Sequence, residues 1–372
     1  MQGDPTHSGK PNELSGRLLQ QDKSPLICRD LRGPDSLPEA GKSDGSYTRE
    51  DMKASLMSDP VSALRRLGRG TTPRSLDLEY TREGRVDLRG LRFPRAQAEG
   101  EVDTALGRFS FGKVVKLKSV QLERVDLAGA SISNSVWEKA GFKDVVLSRA
   151  DVREVAFGSG KMEGVSFQEA DLRGASWGFE GRAGPVLTDC DFSGADMRQT
   201  AYAHPYFRRC QFIQARLDEV DFRGARFEDC VFAGRLSDVW FRERFRDSNP
   251  LVARLRNPMK NVDFSMAELE FVSFLDLDLT SCKLPEEGHM KVPRPRAVFQ
   301  RALRIVETEW SGRARGQASD YLRKMLQFQI RKDIPLHIFR PSDLEASPLG
   351  REVATGLVRE IARAAKELDL AF

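Results

Sequence analysis

From residue 115 large apolar side chains recur at every fifth position, and small residues stand two places before each of them. Frames centred on 117 and stepped by five reach 232 with no break in phase. Of those 24 centres 23 are large and apolar, from Leu117, Leu122, Leu127, Ile132 and Trp137 to Phe222, Phe227 and Phe232. Two residues earlier, 23 of 24 positions hold Val, Ala, Cys, Ser, Thr, Gly or Pro; one frame, with Glu180 and Arg182, breaks both patterns. A helix repeats every 3.6 residues and a strand every two, so a strict five fits neither. A chain that turns a corner every five residues does fit. Each side then buries one small and one large residue, four sides close a coil of about 20 residues, and coils stack at the strand spacing of roughly 4.7–4.9 Å.

Stacking predicts columns of like residues. One is expected to read Ile132, Val152, Leu172, Phe192, Phe212, Phe232, and another Leu127, Leu147, Phe167, Leu187, Phe207, Phe227. The frames VDLAG (125–129), ADLRG (170–174), CDFSG (190–194) and VDFRG (220–224) resemble the pentapeptide-repeat family, strongly over 115–234 and weakly at 86–95 and 262–286. The resemblance implies an all-β solenoid, a right-handed quadrilateral β-helix. It supplies no single function, because one fold hosts many.

The flanks differ in character. Residues 1–46 hold 17 Gly, Pro and Ser without apolar period and are expected to be a disordered tail within a 1–80 N-terminal region containing one short helix over MKASLM and VSALRRL. The repeat unit is expected to span 81–290: regular coils over 115–234, an insertion at 235–261, and a final coil at 262–286. Over 294–372 apolar residues fall at helical spacing, predicting about three helices in a C-terminal unit, 291–372. The last is expected to start from Ser347 as N-cap and Pro348. Helices here would cover the end of the stack, and the resemblance implies capping or a homodimer contact through them.

Charge narrows the function classes. Lys and Arg number 59 against 55 Asp and Glu in 372 residues, a formal net of +4. The first residues carry no apolar leader and no run of apolar residues is long enough to span a membrane, so a cytoplasmic protein is expected. Cys190, Cys210 and Cys230, spaced by twenty, are read as small buried hydrophobes rather than a zinc site, whose ligands must converge. GKS at 41–43 lacks the glycine a phosphate loop needs, since position 36 is serine. No histidine, serine or cysteine stands in a catalytic spacing, and the Asp before each frame centre is a repeat residue. The chain is therefore expected not to be an enzyme and to use no cofactor or metal.

The expected function is a non-catalytic protein–protein interaction scaffold. Its candidate partner-binding residues lie where the pattern breaks: Glu180 and Arg182 in the glycine-rich stretch 178–184, and Arg242, Arg244 and Arg246 in the basic insertion. His204, Pro205 and Tyr206 are read as a surface cluster. Some pentapeptide-repeat proteins resemble DNA in shape and charge and bind the type II topoisomerases, DNA gyrase and topoisomerase IV; that is the alternative. It requires a long acidic surface, whereas 115–234 carries 18 acids and 16 bases. A secreted effector is a lesser alternative. Direct nucleic-acid binding is disfavoured, for want of exposed aromatics beside the arginines.

Overall fold

The computed structural model describes residues 59–76, 78–94, 98–104, 107–112, 114–179, 182–245 and 249–370. The tail expected over 1–46 and the MKASLM segment lie outside them. Short parallel strands and bridges succeed one another every five residues and form four ladders. One runs through Leu117, Trp137, Phe157, Trp177 and Tyr202, and continues from Phe222 to Phe241 and Phe274. The next runs through Leu122, Phe142, Met162, Leu187, Phe207 and Phe227. Single bridges such as Ser131 to Asp151 to Asp171 to Asp196, and Asp126 to Val146 to Ser166 to Asp191, make the other two. The inward residues are buried, and they form one continuous core.

The columns correct one expectation. Phe167 stacks on Phe192 with ring centroids 5.0 Å apart and planes 5° from parallel, and Phe192, Phe212 and Phe232 continue upward at 5.0 and 4.6 Å. Leu172 sits instead under Met197, since Asp171 bridges Asp196. Every column read from the sequence is therefore shifted by one side after residue 178. The cause is an additional frame: Met162 pairs with Leu187, a coil of 25 residues rather than 20. Because the extra length equals the period, the phase survived and the sequence pattern hid it. A second irregularity lies at Leu236 and Phe241. Both are buried, and Phe241 pairs with Phe222 nineteen residues earlier, so the coil continues through Arg242 and the interruption expected from 235 starts after it.

Most corners follow one rule. The residue two after the centre adopts a left-handed conformation, as at Asn134 (φ 54), Glu154 (φ 57) and Gln214 (φ 55). This accounts for the repeat's terminal glycine, present at Gly129 (φ 66) and Gly224 (φ 62), because glycine alone enters that region without a Cβ penalty. The repeat aspartate accepts the amide proton two residues on: Ala128 N donates to Asp126 Oδ1 at 2.9 Å and Ser193 N to Asp191 Oδ1 at 2.8 Å. Where that second residue is arginine, its guanidinium folds back. Arg153, Arg173 and Arg198 lie 2.8, 2.6 and 2.7 Å from Asp151, Asp171 and Asp196 respectively.

Both ends of the stack are covered. At the first end helix α1 (Pro60–Leu67) is capped by Asp59, whose carboxylate accepts from Ser62 N at 3.0 Å. Arg65 reaches the carbonyl of Lys116 at 2.9 Å and Gln121 N donates to Gly68 O at 3.3 Å. An antiparallel hairpin, Ala98–Thr104 with Gly107–Gly112, occupies the stretch where the frames break. At the other end stand α2 (Pro295–Glu309), α3 (Gly312–Lys324), α4 (Pro341–Ala346) and α5 (Arg351–Glu367), with the antiparallel pair Met290–Pro293 and Leu336–Phe339. This differs from the three helices expected. Ser347 does not cap α5: its hydroxyl bonds backward to Leu344 O at 2.6 Å and closes α4, and α5 starts at Arg351 behind Gly350.

The unit is clamped to the last coil. Asp276 is buried and accepts from Arg331 N, Nε and Nη2 at 2.9, 2.8 and 2.5 Å. Asp343 accepts from Phe271 N at 2.8 Å, and Arg340 pairs with Glu268 at 2.9 Å.

Two outcomes follow from this packing. Phe212→Ala removes a fully buried ring stacked on both sides and should cost about 3–5 kcal/mol in denaturant unfolding. Burial raises the Asp343 carboxyl from 3.8 to about 6 against the Phe271 bond and the Arg340 charge that favour ionisation, so the folded state holds its proton longer than the unfolded state. Its contribution to stability must then fall as pH rises from about 4 through about 6, and stay level above. Asp343→Asn keeps an acceptor for Phe271 N and should flatten that slope by on the order of 1 kcal/mol, allowing for partial exposure, in urea melts at pH 4.5 and 7.5.

Candidate partner-binding corner

The coil ordinarily passes from the Phe157 ladder to the Met162 ladder in five residues, as it does from Tyr202 to Phe207 and from Phe222 to Phe227. Twice it does not. From Trp177 the chain needs ten residues to reach Leu187, and from Phe241 it needs eighteen to reach Met259, which neighbours the paired Lys260. Both detours leave from the same corner, three coils apart, so about 14 Å separates their bases along the stack.

Glycines root the first detour. A Cβ on Gly178 (φ +99) would lie 2.1 Å from Ala203 O, and one on Gly184 2.5 Å from the same oxygen, so the backbone crosses the next coil where no side chain fits. Phe179 folds its ring over Gly158, where a Cβ would be 2.5 Å from the ring. Arg182 emerges exposed, 3.0 Å from Glu138. Glu180 lies outside the described residues.

Asn257 roots the second. Its buried carboxamide oxygen accepts from Phe227 N at 3.0 Å and Met259 N at 3.1 Å, and its backbone N–H donates to Glu243 O at 2.8 Å, closing the neck. Glu243 meets Arg244, Arg256 and, from the C-terminal unit, Lys332 at 3.5, 3.3 and 2.7 Å. Arg242 is engaged in a two-pronged bond to Asp221 at 3.0 and 2.9 Å, so this candidate belongs to the coil surface and not to the loop. Arg246 lies outside the described residues. Phe245 sits 5.5 Å beneath the Arg223 guanidinium and 6.4 Å from the His204 ring.

Between the two detours the reading of His204, Pro205 and Tyr206 needs correction. His204 is 1% exposed and Pro205 is buried, because the left-handed turn at His204 (φ 56) drives the ring under the next coil, against Gly224. Tyr206 alone faces outward. Arg226 lies over its ring at 4.4 Å, Arg208 at 5.8 Å, and its hydroxyl donates to Glu228. The five-residue frames carried a signal for this group, since 206 and 226 are equivalent outward slots one coil apart.

The cysteines occupy the small-residue column. Cys190, Cys210 and Cys230 stand above Val165 and below Val262, and their Sγ atoms donate to carbonyls, that of Cys230 to Glu228 O at 3.4 Å. Burial pushes the Cys210 and Cys230 thiols up, and Cys282 to about 12. Among the described residues no group of three or more His, Cys, Asp and Glu is arranged to hold a metal ion, and no helix is long and apolar enough to cross a membrane.

The family model "Pentapeptide repeats (8 copies)" matches residues 204–234, the frames that flank Tyr206 and Arg226. Those frames, 204–234, are pentapeptide repeats. Among solved structures, HetL, a pentapeptide repeat protein involved in heterocyst differentiation regulation from the cyanobacterium Nostoc sp. strain PCC 7120, is 14% identical, with 46% of this chain and 85% of that chain covered and a TM-score of 0.19. Full-length QnrB1, a plasmid-mediated fluoroquinolone resistance protein, is 20% identical, with 46% and 84% covered and a TM-score of 0.18. Rfr23, a pentapeptide repeat protein from the cyanobacterium Cyanothece 51142, is 20% identical, with 31% and 83% covered and a TM-score of 0.16. No curated protein matches the chain.

The buried thiols of these repeats should stay unlabelled by iodoacetamide at pH 8 in native protein and react in guanidinium. Mass-spectrometric labelling of Cys210 or Cys230 without denaturant would contradict their burial.

Proposed function

We propose that this chain is a non-catalytic scaffold, a right-handed quadrilateral β-helix whose one corner presents two loops, 178–184 and 243–258, to a protein partner. The observation that carries this reading is their shared corner, with the Tyr206 and Arg226 pair between them. A rigid stack fixes the distance between the loops, so little conformational entropy is lost when both engage at once. Among the described residues the exposed arginines that the loops carry are Arg182 in the first and Arg244, Arg254 and Arg256 in the second.

The topoisomerase reading asks for an uninterrupted acidic stripe. The longest aspartate row, Asp151, Asp171 and Asp196, has an arginine folded onto each carboxylate, which leaves the row close to neutral. The scaffold reading is accordingly preferred, with the C-terminal unit acting as an end cap.

Photo-crosslinking separates the readings. A benzophenone amino acid at position 182 or 244 should give discrete protein adducts in cells, whereas the same group at Arg153, on another side of the stack, should not. Deleting 179–183, which restores the five-residue step, should reduce those adducts about tenfold and leave the circular dichroism unchanged. Equal adducts from all three positions would overturn the proposal, and so would protection of gyrase supercoiling from a quinolone by the loop-deleted protein.

A further inference from the structure

The corner carries more positive charge than its own carboxylates neutralise. Asp221 is shared by Arg223 at 3.0 Å and Arg242 at 2.9 Å. Glu243 is shared by Arg244 and Arg256, and Glu228 by Arg208 at 3.6 Å and Lys260 at 3.0 Å. Arg226 stands apart. No hydrogen bond or ion pair joins its side chain to any described residue, and its Nε is buried without an acceptor. Among the described residues its compensating contact is the Tyr206 face, and the ring is held in place by its own hydroxyl bond to Glu228.

Burial pushes the Arg226 pKa down, yet a guanidinium stays charged at any ordinary pH. Withdrawing such a charge from water is costly, and a ring face returns only part of that cost. An anion supplied from outside would complete the site: guanidinium groups form short, two-pronged bonds to carboxylates, and the surrounding excess of arginine favours the approach.

We infer that Arg226, stacked on Tyr206 between the two corner loops, is the docking point for a carboxylate-bearing segment of a protein partner, an acidic stretch rich in Asp or Glu. This rests on the scaffold reading and names the chemistry of its partner. A protein is favoured over nucleic acid by the shape of the charge. Most of the arginines here are already paired, the excess is compact and not a stripe, and duplex binding draws its strength from many phosphates neutralised in a row. Compact clusters of Arg and Tyr are instead typical of protein interface hot spots.

The test uses the full chain and fluorescein-labelled hexaglutamate, read by fluorescence anisotropy at 50 and 300 mM salt. Saturable binding is expected, weaker at the higher salt. Arg226→Gln should weaken it about tenfold, the loss expected from one charge-assisted bond. Arg351→Gln, far along the C-terminal unit and 85% exposed, should change nothing. Independently of any variant, hexaglutamate should protect Arg226 of the unaltered protein from phenylglyoxal, read by mass spectrometry. Absence of binding at 50 mM salt, equal binding by Arg226→Gln with no protection, or tighter binding of a 20-base-pair duplex would each overturn the inference. A partner that crosslinks from positions 182 and 244 yet ignores Arg226→Gln would sink this inference alone and leave the scaffold standing.

Discussion

The structure depends on one constraint: an inward side chain has its counterpart one coil above, at strand spacing, and must present a surface that the counterpart can lie against. Rings at that distance stack face to face, which is why Phe167, Phe192, Phe212, Phe232 and Phe264 form one column with successive centroids 4.6 to 5.1 Å apart. The small column beside it, Val125, Val145, Val165 and then Cys190, Cys210 and Cys230, leaves room for the turn. Cysteine serves there as a compact apolar group. Backbone pairing, corner conformation and the outward placement of charge all follow once the columns are in register.

Much of this was legible beforehand. The period of five, the size alternation and the repeat aspartate are local signals, and each reappears as a physical device: an inward ring, a narrow slot, an acceptor for the amide two residues on. What escaped was long-range register. The detour at 178–184 adds one whole frame, so the pattern before and after it stays in phase while every later residue moves to the next side. The coil at Leu236 and Phe241 loses one residue, so a strict five-residue count reads its start as an insertion. His204 looked exposed because a histidine in a polar setting usually is; only the left-handed backbone at that corner turns it inward.

The candidate residues fared unevenly for a related reason. A broken pattern marked both loops, and the fold gathers them at one corner, but the break could not separate a loop arginine from one braced against the coil. Arg244 belongs to the first kind and Arg242 to the second, a difference made by Asp221 one coil below. Tyr206 is legible as a surface residue, but its pairing with Arg226 rests on stacking across coils, for which the only trace along the chain is their separation by one coil. The C-terminal unit was predicted in kind, and its strand pair and the short helix ended by Ser347 emerged only from packing against the last coil.

The neck closed by Glu243 and Asn257 sets a rule for how such a stack can change length. Growth is quantised: either a whole five-residue unit is added at a corner, or surplus residues are thrown outward through a pinch whose two sides bond to each other. The single residue lost before Leu236 is absorbed within its own side, and Phe241 still stacks on Phe222 with centroids 5.2 Å apart. Foreign segments grafted onto this protein should therefore be accepted at the pinch between Glu243 and Asn257 in many lengths, and long insertions elsewhere best in multiples of five.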